Sequence, residues 1–172
     1  MRKVCASFAL LSLLAVSSFA LAAGPAATKA GANSRPRPFW GNVVGTVHWE
    51  DHGYQACPTQ GGYLTIVEAE GQMNHLGQTT FSHVHCAGDD GLPLDGSSVF
   101  TAANGDELWA TYVPGSGYWG LPPDAEWLLE EVDYTIVGGT GRFANATGAY
   151  HMTVFAMPDH PFEFSIVGFI KY

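Results

Sequence analysis

Residues 133–150 read Asp-Tyr-Thr-Ile-Val-Gly-Gly-Thr-Gly-Arg-Phe-Ala-Asn-Ala-Thr-Gly-Ala-Tyr. The β-branched run Thr135-Ile136-Val137 stops at Gly138-Gly139, a compact Gly-Thr-Gly-Arg-Phe-Ala corner follows, and Gly148 releases the chain into a second run of strand formers. Glycines so closely spaced let the backbone take positive φ and pass close to a neighbour, which a Cβ opposes. The stretch therefore predicts two strands joined by a structural corner built on Gly138, Gly139, Gly141, Phe143 and Gly148.

A competing reading exists at the same place. Gly139-Thr-Gly141-Arg-Phe-Ala144 fits the loose dinucleotide pattern G-x-G-x-x-G/A, which sets a pyrophosphate on a helix N-terminus. The context fails, because only Arg142 to Thr147 is left for a helix before Gly148 and another strand-like run follows instead of a βαβ crossover.

Working outward, the chain is a succession of strand-like runs. Phe39 to Glu50, Tyr63 to Glu70, Leu76 to Cys86, Ser97 to Ala102, Glu107 to Val113, Glu126 to Val137, Ala149 to Met157 and Phe162 to Lys171 alternate with turn-rich segments. Asn104-Gly105 is a strong hairpin signal, and Pro114 to Pro123 reads as a long loop. Only residues 125–133 are ambiguous with a helix. Eight runs with mainly short connections predict an all-β fold, an eight-stranded antiparallel up-and-down β-barrel, since closure removes exposed edges. Such a barrel is just wide enough to be filled by side chains or to hold one small ligand.

Three segments together resemble the allene oxide cyclase and dirigent barrel superfamily, in particular its secreted bacterial members. They are Val137-Gly138-Gly139-Thr140-Gly141-Arg142-Phe143 with Ala146 and Gly148, His75-Leu76-Gly77 opening a strand, and Ala102-Ala103-Asn104-Gly105-Asp106-Glu107-Leu108. The resemblance covers residues 39–172 and implies the same eight-stranded barrel. It carries no activity over, because the plant enzymes' cavity residues lie outside these motifs.

The N-terminus has Met1-Arg2-Lys3, an apolar core from Val4 to Phe19, and Ala20-Leu21-Ala22 as a cleavage signature. This predicts a signal peptide over residues 1–22, a flexible arm over 23–38, a barrel domain over 39–172, and a secreted or periplasmic destination. Five of the seven basic residues and all sixteen acidic ones follow the cleavage point, a formal charge of −11. No Lys or Arg lies between Arg37 and Arg142. Nucleic acid and anionic membrane are therefore not expected as partners. Cys57 and Cys86 remain after cleavage. In an oxidising compartment they are expected to form a disulfide closing a loop of about thirty residues, worth roughly 3–4 kcal/mol, with two buried thiols as the alternative.

A period of two puts Thr79, Phe81, His83 and His85 on one strand face. Two imidazoles at i and i+2 suit zinc or copper if His48, His75 or a carboxylate supplies a third ligand. No H-E-x-x-H or C-x-x-C accompanies them, so no metal or other cofactor is expected. On Tyr63 to Glu70, an inward Leu64-Ile66 face makes Glu68 a buried general acid or base, whereas an inward Tyr63-Val67 face leaves Glu68 and Glu70 in solvent. Glu130 and Glu131 must split between faces, with at least one pointing outward. Glu68 and His83 are the catalytic candidates. Phe81, His85, Trp109, Tyr112 and Tyr134 are the ligand-binding candidates, with Tyr150 also able to orient a ligand's polar end. No G-x-S-x-G surrounds any serine, so a serine hydrolase is disfavoured.

Three functional readings follow: a secreted barrel binding a small hydrophobic molecule in its lumen, a cofactor-free cyclase or isomerase acting there, and a packed interaction module. Which face of the second and third strands turns inward separates them.

Overall fold

A computed structural model describes residues 35–50, 63–88, 93–113, 115–120, 128–157 and 159–172. The expected signal peptide, most of the arm and Cys57 lie outside the described residues. Among the described residues nine strands form one sheet: β1 (Arg37–Glu50), β2 (Tyr63–Met73), β3 (Gly77–Ala87), β4 (Pro93–Thr101), β5 (Glu107–Tyr112), β6 (Tyr118–Gly120), β7 (Leu128–Gly139), β8 (Thr147–Ala156) and β9 (Phe162–Lys171).

Each strand pairs antiparallel with its neighbours, and β1 joins β9 through Arg37↔Ile170 to Gly45↔Phe162. The ring closes between β5 and β7, where Tyr112 opposes Tyr134. Short β6 lies inside the expected Pro114–Pro123 loop and pairs with residues 129–131 of β7. It prolongs the β5 stave past its break at residue 113, so nine strands make an eight-stave closed antiparallel barrel. The ambiguous window resolves as strand from Leu128 onward. The remaining differences from the sequence reading are small. β2 runs on to Met73, β3 begins at Gly77 and ends at Ala87, and β4 begins at Pro93.

Directly opposed residues of an antiparallel pair point to the same face, which sets the inside of the barrel. Val47 opposes Val67, Val67 opposes His83 and Ala69 opposes Phe81, so the Thr65-Val67-Ala69 face of β2 turns inward with its neighbours. Leu64, Ile66, Glu68 and Glu70 take the other face. One half of the lumen is filled by an aromatic cluster. Phe81 and Phe100 centroids lie 4.8 Å apart, and Phe39 meets Phe100 and Tyr150 edge-on at 5.9 Å each. Each such side chain contributes about 1.5–3 kcal/mol by leaving water.

The three motifs that carry the family resemblance meet at this packed end. The Ala103 N–H donates to the Leu76 carbonyl at 3.1 Å, and the Thr140 N–H donates to the Glu107 carbonyl at 2.8 Å. Thr140 Oγ1 accepts the Glu107 N–H at 2.8 Å, and the Arg142 guanidinium donates to the His75 carbonyl at 2.7 Å. Between them Gly141–Phe143 forms one 3-10 turn that seats Phe143 fully buried against Tyr172. The dinucleotide pattern does not apply here, because the helix it requires is absent: Gly141–Phe143 is a single turn and a strand follows it. These motifs are the floor of the barrel. The opposite end, where β3 finishes and β7 begins, is termed the mouth end, and residues 51–62, 89–92 and 121–127, which join strands there, lie outside the described residues.

Candidate functional site

Alternation along three strands brings polar side chains inside between the aromatic floor and the mouth. β3 carries Phe81, His83 and His85 inward, β7 carries Glu130, Val132 and Tyr134, and β8 carries Tyr150, Met152 and Val154. All nine are buried.

The protonation pattern of the histidines follows from one backbone carbonyl. His83 Nδ1 lies 2.9 Å from the Ser97 carbonyl oxygen, which only accepts, so Nδ1 carries the proton. In the neutral ring Nε2 is then a lone pair, and His85 Nδ1, 2.6 Å away, must donate to it. That leaves His85 Nε2 as a bare acceptor with no hydrogen-bond partner among the described residues. Burial, and secondarily the neighbouring His85, lowers the His83 pKa to about 3, outweighing the Ser97 bond. Burial lowers His85 to about 4. Both rings are neutral at ordinary pH.

Two phenols complete the layer. Tyr134 Oη sits 3.2 Å from His83 Nε2, and its ring stacks on Tyr150 at 4.8 Å and 10°. Tyr150 Oη and Ser98 Oγ share a hydrogen bond of 2.7 Å. Burial raises both phenol pKa values, and for Tyr134 the nearby Tyr150, Glu130 and Tyr112 add to it. Tyr112 faces Tyr134 edge-on at 6.2 Å and accepts the Gly117 N–H through its hydroxyl.

Glu130 is the one acid on the described inner face. It is only 6% exposed, and its carboxyl has no hydrogen-bond partner among the described residues. Burial raises its pKa to about 7. Thr65, opposite His85 on β2, is 3% exposed and its hydroxyl is likewise without a partner among the described residues.

The candidate residues therefore divide. Phe81, His83, His85, Tyr112 and Tyr134 come together inside the barrel. Glu68 does not: it is exposed on the outer face, lining a groove of about 540 Å³ over β1 to β4 with Thr46, Glu70, Thr80 and Ser82. The reason is the register of β2, which points Val67 and Ala69 inward and leaves Glu68 on the other side of the pleat. Trp109 is also outside, 40% exposed, with its indole N–H donating to Glu107 at 2.9 Å. It alternates with inward Leu108 and Ala110. Cys86 is buried at the mouth end of β3.

Glu130 is the inward acid that replaces Glu68. A signal for it is present in the chain: Glu130 shares its period-two set with Val132, Tyr134 and Ile136, while Glu131 alternates with Asp133 and Thr135. The apolar set marks the inner face. Among the described residues no group of three or more His, Cys, Asp or Glu side chains is placed to hold a metal ion. The two inner imidazoles turn their facing nitrogens toward each other instead.

No protein-family model, curated protein or solved structure matches this chain.

Proposed function

We propose that this chain is an exported barrel of the allene oxide cyclase type that holds a small, largely apolar molecule in the mouth half of its lumen. The carrying observation is the Thr65 hydroxyl, buried on the inner face without a hydrogen-bond partner among the described residues, beside Glu130, an acid turned inward and only 6% exposed. An unpaired buried hydroxyl costs about 1–3 kcal/mol and a buried carboxyl more, so such groups call for a partner that the described residues do not provide. Tyr112 and Tyr134 supply apolar surface and His85 a further acceptor on the same inner face. Native mass spectrometry of the mature protein from its own host tests this. A stoichiometric small organic adduct is expected; a bare chain overturns the reading.

A second reading, a cofactor-free cyclase or isomerase, is favoured by the Glu130 pKa of about 7. A carboxyl half-ionised near neutrality both takes and gives protons readily. In this reading Glu130 has the acid–base role and Tyr134 and His83 orient the substrate. Incubating the mass-identified adduct with wild-type protein and with Glu130→Gln separates the two. Conversion by the wild type alone supports catalysis, and unchanged adduct with both supports binding only.

Export and a Cys57–Cys86 disulfide belong to the same proposal. A mass two daltons below that of the reduced mature chain is the expected result.

A further inference from the structure

We infer that the molecule held in the mouth half of the lumen carries a protonated amine, seated against the Glu130 carboxylate. This rests on the lumen-binding reading above and adds the ligand's charge to it.

The argument is one of complementarity. Among the described residues the buried polar side chains are Thr65, Thr79, His83, His85, Ser98 and Glu130, with no Lys or Arg among them. Among the inner groups left without partners by the described residues, the Glu130 carboxylate and the His85 Nε2 lone pair only accept hydrogen bonds, and the Thr65 hydroxyl can accept or donate. His85 Nε2 is an acceptor because the Ser97 carbonyl fixes the tautomer of His83, which in turn fixes that of His85. Thr79 and Ser98 are already engaged, with the Gly77 carbonyl and with Tyr150. A carboxylate ligand would meet a like charge and no cationic partner. A neutral hydroxyl would satisfy one acceptor and leave the Glu130 charge without a counter-ion. An ammonium group supplies several donors and cancels that charge, which returns the carboxyl toward its ordinary pKa.

The surroundings agree. Tyr134 lies within the electrostatic reach of Glu130, and Tyr112 meets it edge-on at 6.2 Å, so aromatic rings stand near the carboxylate, and such rings attract cations. The whole chain carries a formal charge of −9, which raises the local concentration of cations around it. A small organic amine with an aromatic or aliphatic body fits this combination better than a fatty acid or a sugar.

The test uses three probes of one shape on the mature protein: phenethylamine, 2-phenylethanol and 3-phenylpropionate, titrated by calorimetry at pH 8. The expected order is amine, alcohol, carboxylate, with the amine at least about tenfold tighter than the alcohol. Glu130→Gln, which removes the charge and keeps the shape, is expected to bring the amine to the alcohol's affinity and leave the alcohol unchanged. Glu68→Gln, on the outer face, is expected to change nothing. An alcohol or carboxylate that binds as tightly as the amine overturns the amine inference while lumen binding stands. Equal loss of all three probes in Glu130→Gln also overturns it, since the group then acts through structure and not charge. Failure of all three to bind wild type overturns both.

Discussion

The hydroxyls of Ser98 and Tyr150, 52 residues apart in the chain, share a 2.7 Å hydrogen bond inside the barrel. Ser98 lies on β4 and Tyr150 on β8, staves that are not neighbours in the sheet, so the bond crosses the lumen between the aromatic floor and the polar layer. Both side chains are almost wholly buried. Neither hydroxyl has water as an alternative.

That isolation sets the outcome of removing one partner. Tyr150→Phe leaves the Ser98 hydroxyl unpaired and is expected to cost about 1–3 kcal/mol in urea denaturation. The double variant Ser98→Ala with Tyr150→Phe is expected to cost clearly less than the two single variants added together. Strict additivity would show that the bond contributes nothing.

The two inner histidines predict an acid limb. Their folded-state pKa values, about 3 and about 4, lie below the ordinary 6.5, so the unfolded chain binds protons that the folded chain refuses. Stability from these rings is complete above pH 6.5 and is lost as the pH falls toward 4. Melting temperature followed from pH 7 to pH 4 should fall more steeply in wild type than in His85→Gln. Parallel curves would remove the histidines from the account.

Glu130 works in the opposite direction. Its folded-state pKa, raised from 4.5 to about 7, means the folded protein holds a proton that the unfolded chain has released, so stability declines as the pH rises across that window. Glu130→Gln is therefore expected to be more stable than wild type at pH 8, by up to roughly 3 kcal/mol, and to lose that advantage by pH 4.5. A Glu130→Gln variant no more stable at pH 8 than wild type contradicts the buried, unpaired carboxyl.

Two glycines at the floor separate backbone strain from collision. Gly105 has φ +85 with nothing within 4 Å of the place a Cβ would take, whereas Gly141 has φ +52 with the Asp106 carboxylate in the way. Gly105→Ala is expected to cost about 1 kcal/mol, the left-handed penalty alone. Gly141→Ala is expected to cost more than that, because Asp106 also accepts the Arg142 N–H at 3.3 Å and must move. Equal costs, measured by thermal unfolding, would mean that the corner is not docked on the hairpin.

The chain announces its strands and its floor by local chemistry. Val137 to Gly148 ends one strand and starts the next, and the structure builds its corner there. Asn104-Gly105 turns a hairpin with Gly105 at φ +85. Phe162 to Lys171 is β9 to the residue. On β3 the period of two correctly groups Phe81, His83 and His85. On β2 the same period leaves two equivalent sets, and the apolar pair Leu64 and Ile66 belongs to the outer one.

What the sequence by itself determined is therefore everything written in neighbouring residues: strand-forming runs, turn glycines, and which side chains share a face. What only the tertiary structure decided is which face of β2 looks inward, and with it the loss of Glu68 from the lumen, the outward turn of Trp109, and the meeting of His83 with Tyr134. The physical reason is that a strand's two faces differ only by what is paired beside it. Register across β1, β2 and β3, and closure of β5 onto β7, place those neighbours.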